Sequence, residues 1–149
     1  MVNRGVHPNR FFTKEEKDRI VRAIREAELK TSGEIRVYLE RKSRDHVMEH
    51  AKKVFEKLRM THTEHHNGIL IYFSLRDHNF AILGDKGIHE NVGDDFWKAV
   101  VSQMETRFAK DDFAGGLEAA IREMGERLKR FFPWEPSDIN ELPDKVEPI

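Results

Sequence analysis

Cysteine is absent from the 149 residues of this chain. Its absence excludes disulfide bonds, thiol nucleophiles and cysteine-ligated zinc sites. The chain also lacks a hydrophobic run long enough to cross a bilayer, and its N-terminal residues lack the apolar core of a signal peptide. We therefore expect a cytoplasmic protein without a membrane span.

The sequence has little excess of either charge. Lys and Arg number 26 against 27 Asp and Glu, which gives a formal charge of -1 and a pI of about 6.7. Nucleic-acid-binding domains usually concentrate positive charge on one surface. We therefore expect no nucleic-acid partner, and the length predicts one domain with its own core.

Familiar catalytic signatures are missing too. The chain contains no Walker loop, no Gly-x-Ser-x-Gly elbow, no GxGxxG and no kinase motif. A hydrolase built on this sequence would therefore need a metal-activated water with an aspartate as the base.

What is present is an alternation of helix and strand patterns. Thr13 and Glu16 form a capping box at the start of a first helix, and the strand candidates are 35–39, 69–73 and 80–83. A strand, a helix and a strand in succession favour a parallel crossover, whereas the third strand should form an antiparallel hairpin with the second. Residues 13–132 are therefore predicted to form a three-layer α/β/α sandwich, with a small mixed β-sheet of three to four strands between the helices.

The remaining boundaries come from caps and turns. Ser43 or Asp45 should cap the helix between the first two strands, and a loop should run from Gly84 to Gly93. A further helix should start at Asp94, and Asp111 or Asp112 should cap the last one. The apolar faces of these two helices are predicted to comprise Trp97, Val100, Val101, Met104 and Phe108, and Leu117, Ala120, Ile121, Met124, Leu128 and Phe131.

The two ends of the chain show no helical or strand period. Residues 1–12 are predicted to form a flexible N-terminal arm. Residues 133–149 are rich in proline and acidic residues, which predicts either an extended strap along the domain or a disordered tail.

The predicted topology brings acidic residues together. Glu34, Asn67 and Asp85 should meet at one edge of the sheet, and Asp94 with Asp95 should follow at a helix start. Oxygen ligands of this kind suit a hard cation, so we predict a metal site of these five residues for Ca²⁺, or alternatively Mg²⁺ or Mn²⁺. The alternative is that Asp85 is an ordinary turn residue and Asp94 and Asp95 only cap a helix.

A histidine-based metal site is a second alternative. His46 and His50 are four residues apart on a predicted helix, and three more histidines follow at His62, His65 and His66. Because no HExxH motif is present and the spacing fixes no third ligand, we favour solvated surface histidines.

Four segments of the chain resemble the TPM domain family, named after thylakoid-lumen, photosystem-repair and receptor-modulator proteins. They are Thr31-Ser32-Gly33-Glu34-Ile35, Asn67-Gly68-Ile69-Leu70-Ile71, Ala81-Ile82-Leu83-Gly84-Asp85-Lys86-Gly87-Ile88 and Phe113-Ala114-Gly115-Gly116-Leu117. The likeness extends over roughly residues 13 to 132. The chain is similar to a short, soluble bacterial branch of the family, although His65-His66 stands where many relatives carry Lys-Asp.

This resemblance implies an α/β sandwich, divalent-metal or calcium binding in an acidic groove, and weak acid-phosphatase-type hydrolysis of phosphomonoesters. Asp85 and Asp94 would be the catalytic residues, acting on a phosphorylated small molecule or protein. The alternative function is a non-catalytic calcium-binding or protein-interaction module.

Overall fold

A computed structural model describes residues 4–43 and 46–135 and the backbone of residues 146–147. Secondary structure in these parts follows the helix and strand order expected from the sequence, with one added helix and one added strand of two residues. The elements are α1 (Lys14–Glu28), β1 (Glu34–Glu40), α2 (Val47–Lys57), β2 (Gly68–Ser74), β3 (Asn79–Gly84), α3 (Lys86–Asn91), α4 (Asp94–Phe108), α5 (Phe113–Phe131) and β4 (Val146–Glu147).

The sheet has the order β3-β2-β1-β4 and mixed strand directions. β1 runs parallel to β2, so the β1-α2-β2 segment is a parallel crossover, and β3 pairs antiparallel with β2. The two residues of β4 pair parallel with β1, Val146 opposite Val37. The end of the chain is therefore extended along β1 at this point, whereas the rest of the predicted strap, residues 136–145 and 148–149, lies outside the described residues.

Helices cover both faces of the sheet. Ile35, Val37 and Leu39 on β1 belong to a core that also contains the buried faces of α1, α4 and α5. Tyr38 of β1 belongs to a second core, together with Leu70 and Tyr72 of β2 and the buried face of α2. The predicted three-layer α/β/α sandwich is confirmed. Among the described residues, no helix is long and apolar enough to cross a membrane.

The structure corrects the predicted Gly84–Gly93 loop, because α3 occupies most of it. Asp85 has extended backbone dihedrals, and its side chain accepts a hydrogen bond from the Lys86 amide, which is the geometry of a helix N-cap. Only six residues form this helix. Such a short segment shows too little periodicity to be recognised from the sequence.

Two other details of the predicted helices are wrong. The N-cap of α2 is His46 rather than Ser43, whose amide instead donates to the Ser74 hydroxyl. Asp45 lies outside the described residues. Phe131 at the end of α5 is 38% exposed, whereas Phe96 on α4 is buried in the core.

The segment before α1 packs against the domain where it is described. Phe11 and Phe12 are buried, and the two terminal guanidinium nitrogens of Arg4 bind the Glu16 carboxylate at 2.6 and 2.7 Å. The same carboxylate accepts the Thr13 amide and completes the predicted capping box. One glutamate therefore fixes both the start of α1 and the segment that precedes it.

Close packing of α1 on α5 depends on Gly125. A Cβ at this position would stand 2.9 Å from the Cα and Cβ atoms of Ala27. An open helical position would gain about 1 kcal/mol from Gly→Ala, but here the two helices would have to separate. We expect Gly125→Ala to lower the free energy of unfolding by about 1–3 kcal/mol in a urea titration.

The matched control is the same substitution in an Ala27→Gly background. Removing the Ala27 methyl group relieves part of the overlap, so Gly125→Ala should cost less there. A stabilising effect of Gly125→Ala in the native background would show that the helices are not in tight contact.

Candidate functional site

The N-terminal edge of β2 gathers three of the residues that the sequence singled out. Gly68 pairs with Glu34 of β1, and its carbonyl accepts the amide of Asp85 at 2.9 Å. The carbonyl of Asn67 accepts the amide of Glu34 at 3.2 Å. We call this edge the Gly68 rim. It comprises Glu34, Asn67, Gly68 and Asp85, all four of which are buried.

Asp85 is engaged by the chain itself. One carboxylate oxygen accepts the Lys86 amide at 2.8 Å, and the other lies 3.3 Å from Nδ1 of His66. Asp85 is only 7% exposed. Its carboxylate therefore caps α3 and joins that helix to the turn before β2.

The turn before β2 is held by further contacts. The Asn67 side chain donates to the Ser32 hydroxyl at 3.3 Å, and the Asn67 amide donates to the Thr63 hydroxyl at 3.2 Å. His66 has a φ of 51°, and its carbonyl accepts the Gly87 amide at 2.9 Å. Most polar groups at the Gly68 rim thus form hydrogen bonds within the protein that hold this turn and α3 in place.

Asp94 and Asp95 follow α3 in the chain. Asp85 is the N-cap of α3, whereas Asp94 is the first residue of α4. Asp94 and Asp95 line a groove of about 580 Å³ between the start of α4 and the end of α5. The α4–α5 groove, as we call it, is lined by Gly93, Asp94, Asp95, Phe96, Glu126, Arg127, Arg130 and Phe131.

The charges in the α4–α5 groove differ in how far they are paired. Arg127 binds Glu123 at 2.7 Å, and Glu126 binds Lys129 at 2.8 Å and also contacts Lys30. Hydrogen bonds from Lys129 and Lys30 lower the pKa of Glu126 to about 2. Arg130 forms no ion pair with any residue in the described part of the chain; its guanidinium carbon lies 6.0 Å from the centre of the Phe131 ring.

The sequence did not indicate the α5 wall of this groove. Lys129 and Arg130 fit a general pattern, since basic residues in the last turn complement the helix dipole. The one sequence feature that indicates this wall is the spacing of Arg127 and Arg130. They are three residues apart, so both lie on one side of a helix. That signal does not reveal which helix start they face.

The five predicted metal ligands fall into two groups with different local surroundings. Glu34, Asn67 and Asp85 lie at the Gly68 rim, and Asp94 and Asp95 lie in the α4–α5 groove. Across residues 4–43 and 46–135, no three histidine, aspartate or glutamate side chains are placed to hold one metal ion. A cation shared by Asp85 and Asp94 stays a prediction.

Sequence comparison identifies the family. A model of the TPM domain matches residues 6–127. The chain belongs to the TPM domain family. No curated protein matches this TPM domain.

Two solved structures resemble this TPM domain. BA42 from the psychrophilic bacterium Bizionia argentinensis is 45% identical over 91% of this chain and 94% of its own, with a TM-score of 0.88. The N-terminal domain of a protein from P. gingivalis is 14% identical, covering 81% of this chain and 78% of its own, with a TM-score of 0.66. At that identity the second likeness shows the fold alone.

The Gly68 rim yields a prediction about stability. A Cβ at Gly87 would stand 2.4 Å from the His65 carbonyl oxygen and 2.5 Å from that of His66. Because both are backbone atoms, the turn would have to move, and Gly87→Ala should lower the free energy of unfolding by about 1–3 kcal/mol in chemical denaturation. Lys86→Ala, at an exposed neighbouring position, is the control and should change it by less than about 0.5 kcal/mol. Equal effects of the two substitutions would contradict the close approach.

The α4–α5 groove yields a prediction about ionisation. Lys129→Met should raise the pKa of Glu126 from about 2 towards its ordinary value of 4.5, because Lys129 makes the largest contribution to the shift. The folded-state pKa lies below the unfolded one, so the ion pairs stabilise the fold above about pH 4.5 and lose that effect as the pH falls towards 2. The measurement is the carboxyl ¹³C shift of Glu126 against pH. Lys110→Met, outside the groove lining, should leave the midpoint unchanged.

Proposed function

We propose that this TPM domain binds phosphomonoesters in the α4–α5 groove together with a divalent cation and hydrolyses them slowly. The observation that carries the proposal is the composition of that groove. Two adjacent carboxylates at the start of α4 face the end of α5, where Arg130 has no carboxylate partner among the described residues.

The start of α4 is suited to a phosphate group. A helix N-terminus presents amides without intrahelical partners and a partial positive charge. The N-cap of α4 is Gly93, which has no side chain to occupy those amides, and a Cβ there would have nothing within 4 Å. A phosphate can therefore approach the backbone closely, as it does at other helix starts.

Arg130 supplies the second element of phosphate binding. Guanidinium groups bind phosphate oxygens through charge-assisted, often bidentate hydrogen bonds. Arg127 lies on the same wall but is already bound to Glu123. Arg130 is therefore the residue assigned to the phosphate, and Arg127 contributes positive charge.

The carboxylates of Asp94 and Asp95 suit a hard cation whose remaining ligands are waters and the substrate phosphate. Both carboxylates are exposed and line the groove. Mg²⁺ is usually held by one or two carboxylates, with waters and substrate phosphate completing its shell, whereas Ca²⁺ takes six to eight oxygens. Mg²⁺ or Mn²⁺ thus fits this groove better than Ca²⁺. When bound, the cation supplies positive charge that offsets the charge of the phosphate oxygens.

Hydrolysis in this groove requires a base for water. The carboxylate of Asp94 or Asp95 accepts a proton from the attacking water as the new oxygen–phosphorus bond forms. The bond from phosphorus to the ester oxygen breaks, and that oxygen leaves as the alcohol after taking up the proton that the aspartate carboxyl group received from water, which restores the carboxylate. Arg130 offsets the charge of the departing inorganic phosphate. Because Asp94 and Asp95 are exposed to solvent, these electrostatic effects are partly screened, and we therefore expect a slow reaction.

Membership of the TPM domain family supports this proposal, since the family resemblance implies acid phosphatase activity and divalent-metal binding. Asp85 is assigned no part in the reaction. Its two oxygens are used in capping α3 and contacting His66, so its carboxylate contributes to the shape of the Gly68 rim.

The test is turnover of a phosphomonoester with Mg²⁺, Mn²⁺, Ca²⁺ or chelator. Arg130→Gln should reduce kcat/KM by about 10- to 100-fold, because a hydrogen bond to a charged group contributes roughly 1.5–3 kcal/mol. Asp94→Asn with Asp95→Asn should abolish the dependence on the cation and most of the turnover. Arg76→Gln is the matched control, since Arg76 is an exposed arginine between β2 and β3, and it should retain native kinetics.

The results separate this proposal from the non-catalytic alternative. Turnover that is equal in the native protein and the Asp94→Asn, Asp95→Asn variant would overturn the catalytic assignment. Thermal stabilisation of the native protein by a cation, lost in that variant and accompanied by no turnover, would instead identify a non-catalytic binding module.

A further inference from the structure

The ring of Phe131 is an exposed apolar surface inside the α4–α5 groove. In the described part of the chain, the most exposed large hydrophobic side chains are Leu29, Phe131 and Trp134, at 68%, 38% and 44%. Of these three, Phe131 alone lines the groove. An aromatic ring left exposed in a concave site offers a flat surface to a ligand.

The backbone around Phe131 is held in place. Phe131 is the last residue of α5, and the next residue, Phe132, packs partly against the main core. The carbonyl of Phe132 accepts the Ser32 amide at 2.9 Å and the Thr31 hydroxyl, and its amide donates to the Leu128 carbonyl at 2.7 Å. The backbone that carries Phe131 is therefore held in place before a ligand arrives, which lowers the entropic cost of binding to it.

The ring lies beside the group that we assign to phosphate. The guanidinium carbon of Arg130 is 6.0 Å from the centre of the Phe131 ring. A ligand whose phosphate contacts Arg130 thus has its next few atoms within reach of the ring. An ester whose alcohol is itself a planar ring can stack there, whereas a short aliphatic alcohol cannot.

We propose that the α4–α5 groove prefers phosphomonoesters of planar aromatic alcohols, and that Phe131 is the residue that determines this preference. The inference rests on the proposed function. A volume of about 580 Å³ is within the range of small-molecule sites and accommodates a phosphate with one ring.

The test compares two phosphonates, which bind like phosphate esters and are not hydrolysed. Phenylphosphonate and methylphosphonate are titrated into the full chain with Mg²⁺, at a pH where both are dianions, and amide shifts of residues 93–96 are followed by NMR. The native protein should bind phenylphosphonate about 2- to 10-fold more tightly, the range expected for an aromatic pair. Phe131→Leu, which keeps an apolar side chain but removes the ring, should reduce that ratio to about one.

Trp134→Leu is the matched control, because it removes an exposed aromatic ring outside the groove lining. It should leave the ratio at its native value. A preference for phenylphosphonate that survives Phe131→Leu, or no preference in the native protein, would overturn the inference.

The outcomes also distinguish the aromatic preference from the proposed phosphomonoester hydrolysis. Equal binding of both phosphonates at the start of α4 would leave phosphomonoester hydrolysis standing and remove only the aromatic preference. If neither phosphonate moved the amides of residues 93–96, the groove would not be a phosphate site, and both proposals would fail.

Discussion

Complete burial of β2 is the constraint on which the rest of the structure depends. All seven of its residues are buried, so the strand has no face that water can solvate. Helices must therefore cover the sheet on both sides, with α1, α4 and α5 on one face and α2 on the other. Because β1 is parallel to β2 and β3 is antiparallel to it, the same arrangement sets which turns meet at each end of the sheet.

The elements with clear periodicity could be predicted from the sequence. Three local patterns predict these elements. They are the unbroken apolar run at Ile69–Phe73, the capping box at Thr13 and the helical spacing in α5. The helix α3 could not be predicted in the same way. It is short, and what defines it is a side-chain cap from Asp85 and the close approach of Gly87 to the neighbouring turn.

The candidate site could be predicted only in part. Strand order alone places Glu34, Asn67 and Asp85 at the Gly68 rim, because each flanks the end of a strand in a known direction. The pairing of Asp94 with the end of α5 depends on how two long helices pack, and no local pattern encodes that angle. An aspartate beside a glycine turn has the same sequence pattern whether it caps a helix or binds a ligand. The role of Asp85 therefore follows only from its hydrogen bonds in the structure.

The charge balance of the α4–α5 groove links its two proposed ligands. Arg127 and Glu126 are each bound to neighbours on the surface, which leaves two aspartates facing Arg130, an arginine without an ion pair among the residues that the structure describes. A phosphate dianion entering that groove alone meets net negative charge, and a divalent cation reverses the sign. Each ligand should therefore raise the affinity for the other by the same factor, since binding linkage is reciprocal. Cooperative binding of the two proposed ligands would then follow from the charges of the groove, without any change of conformation.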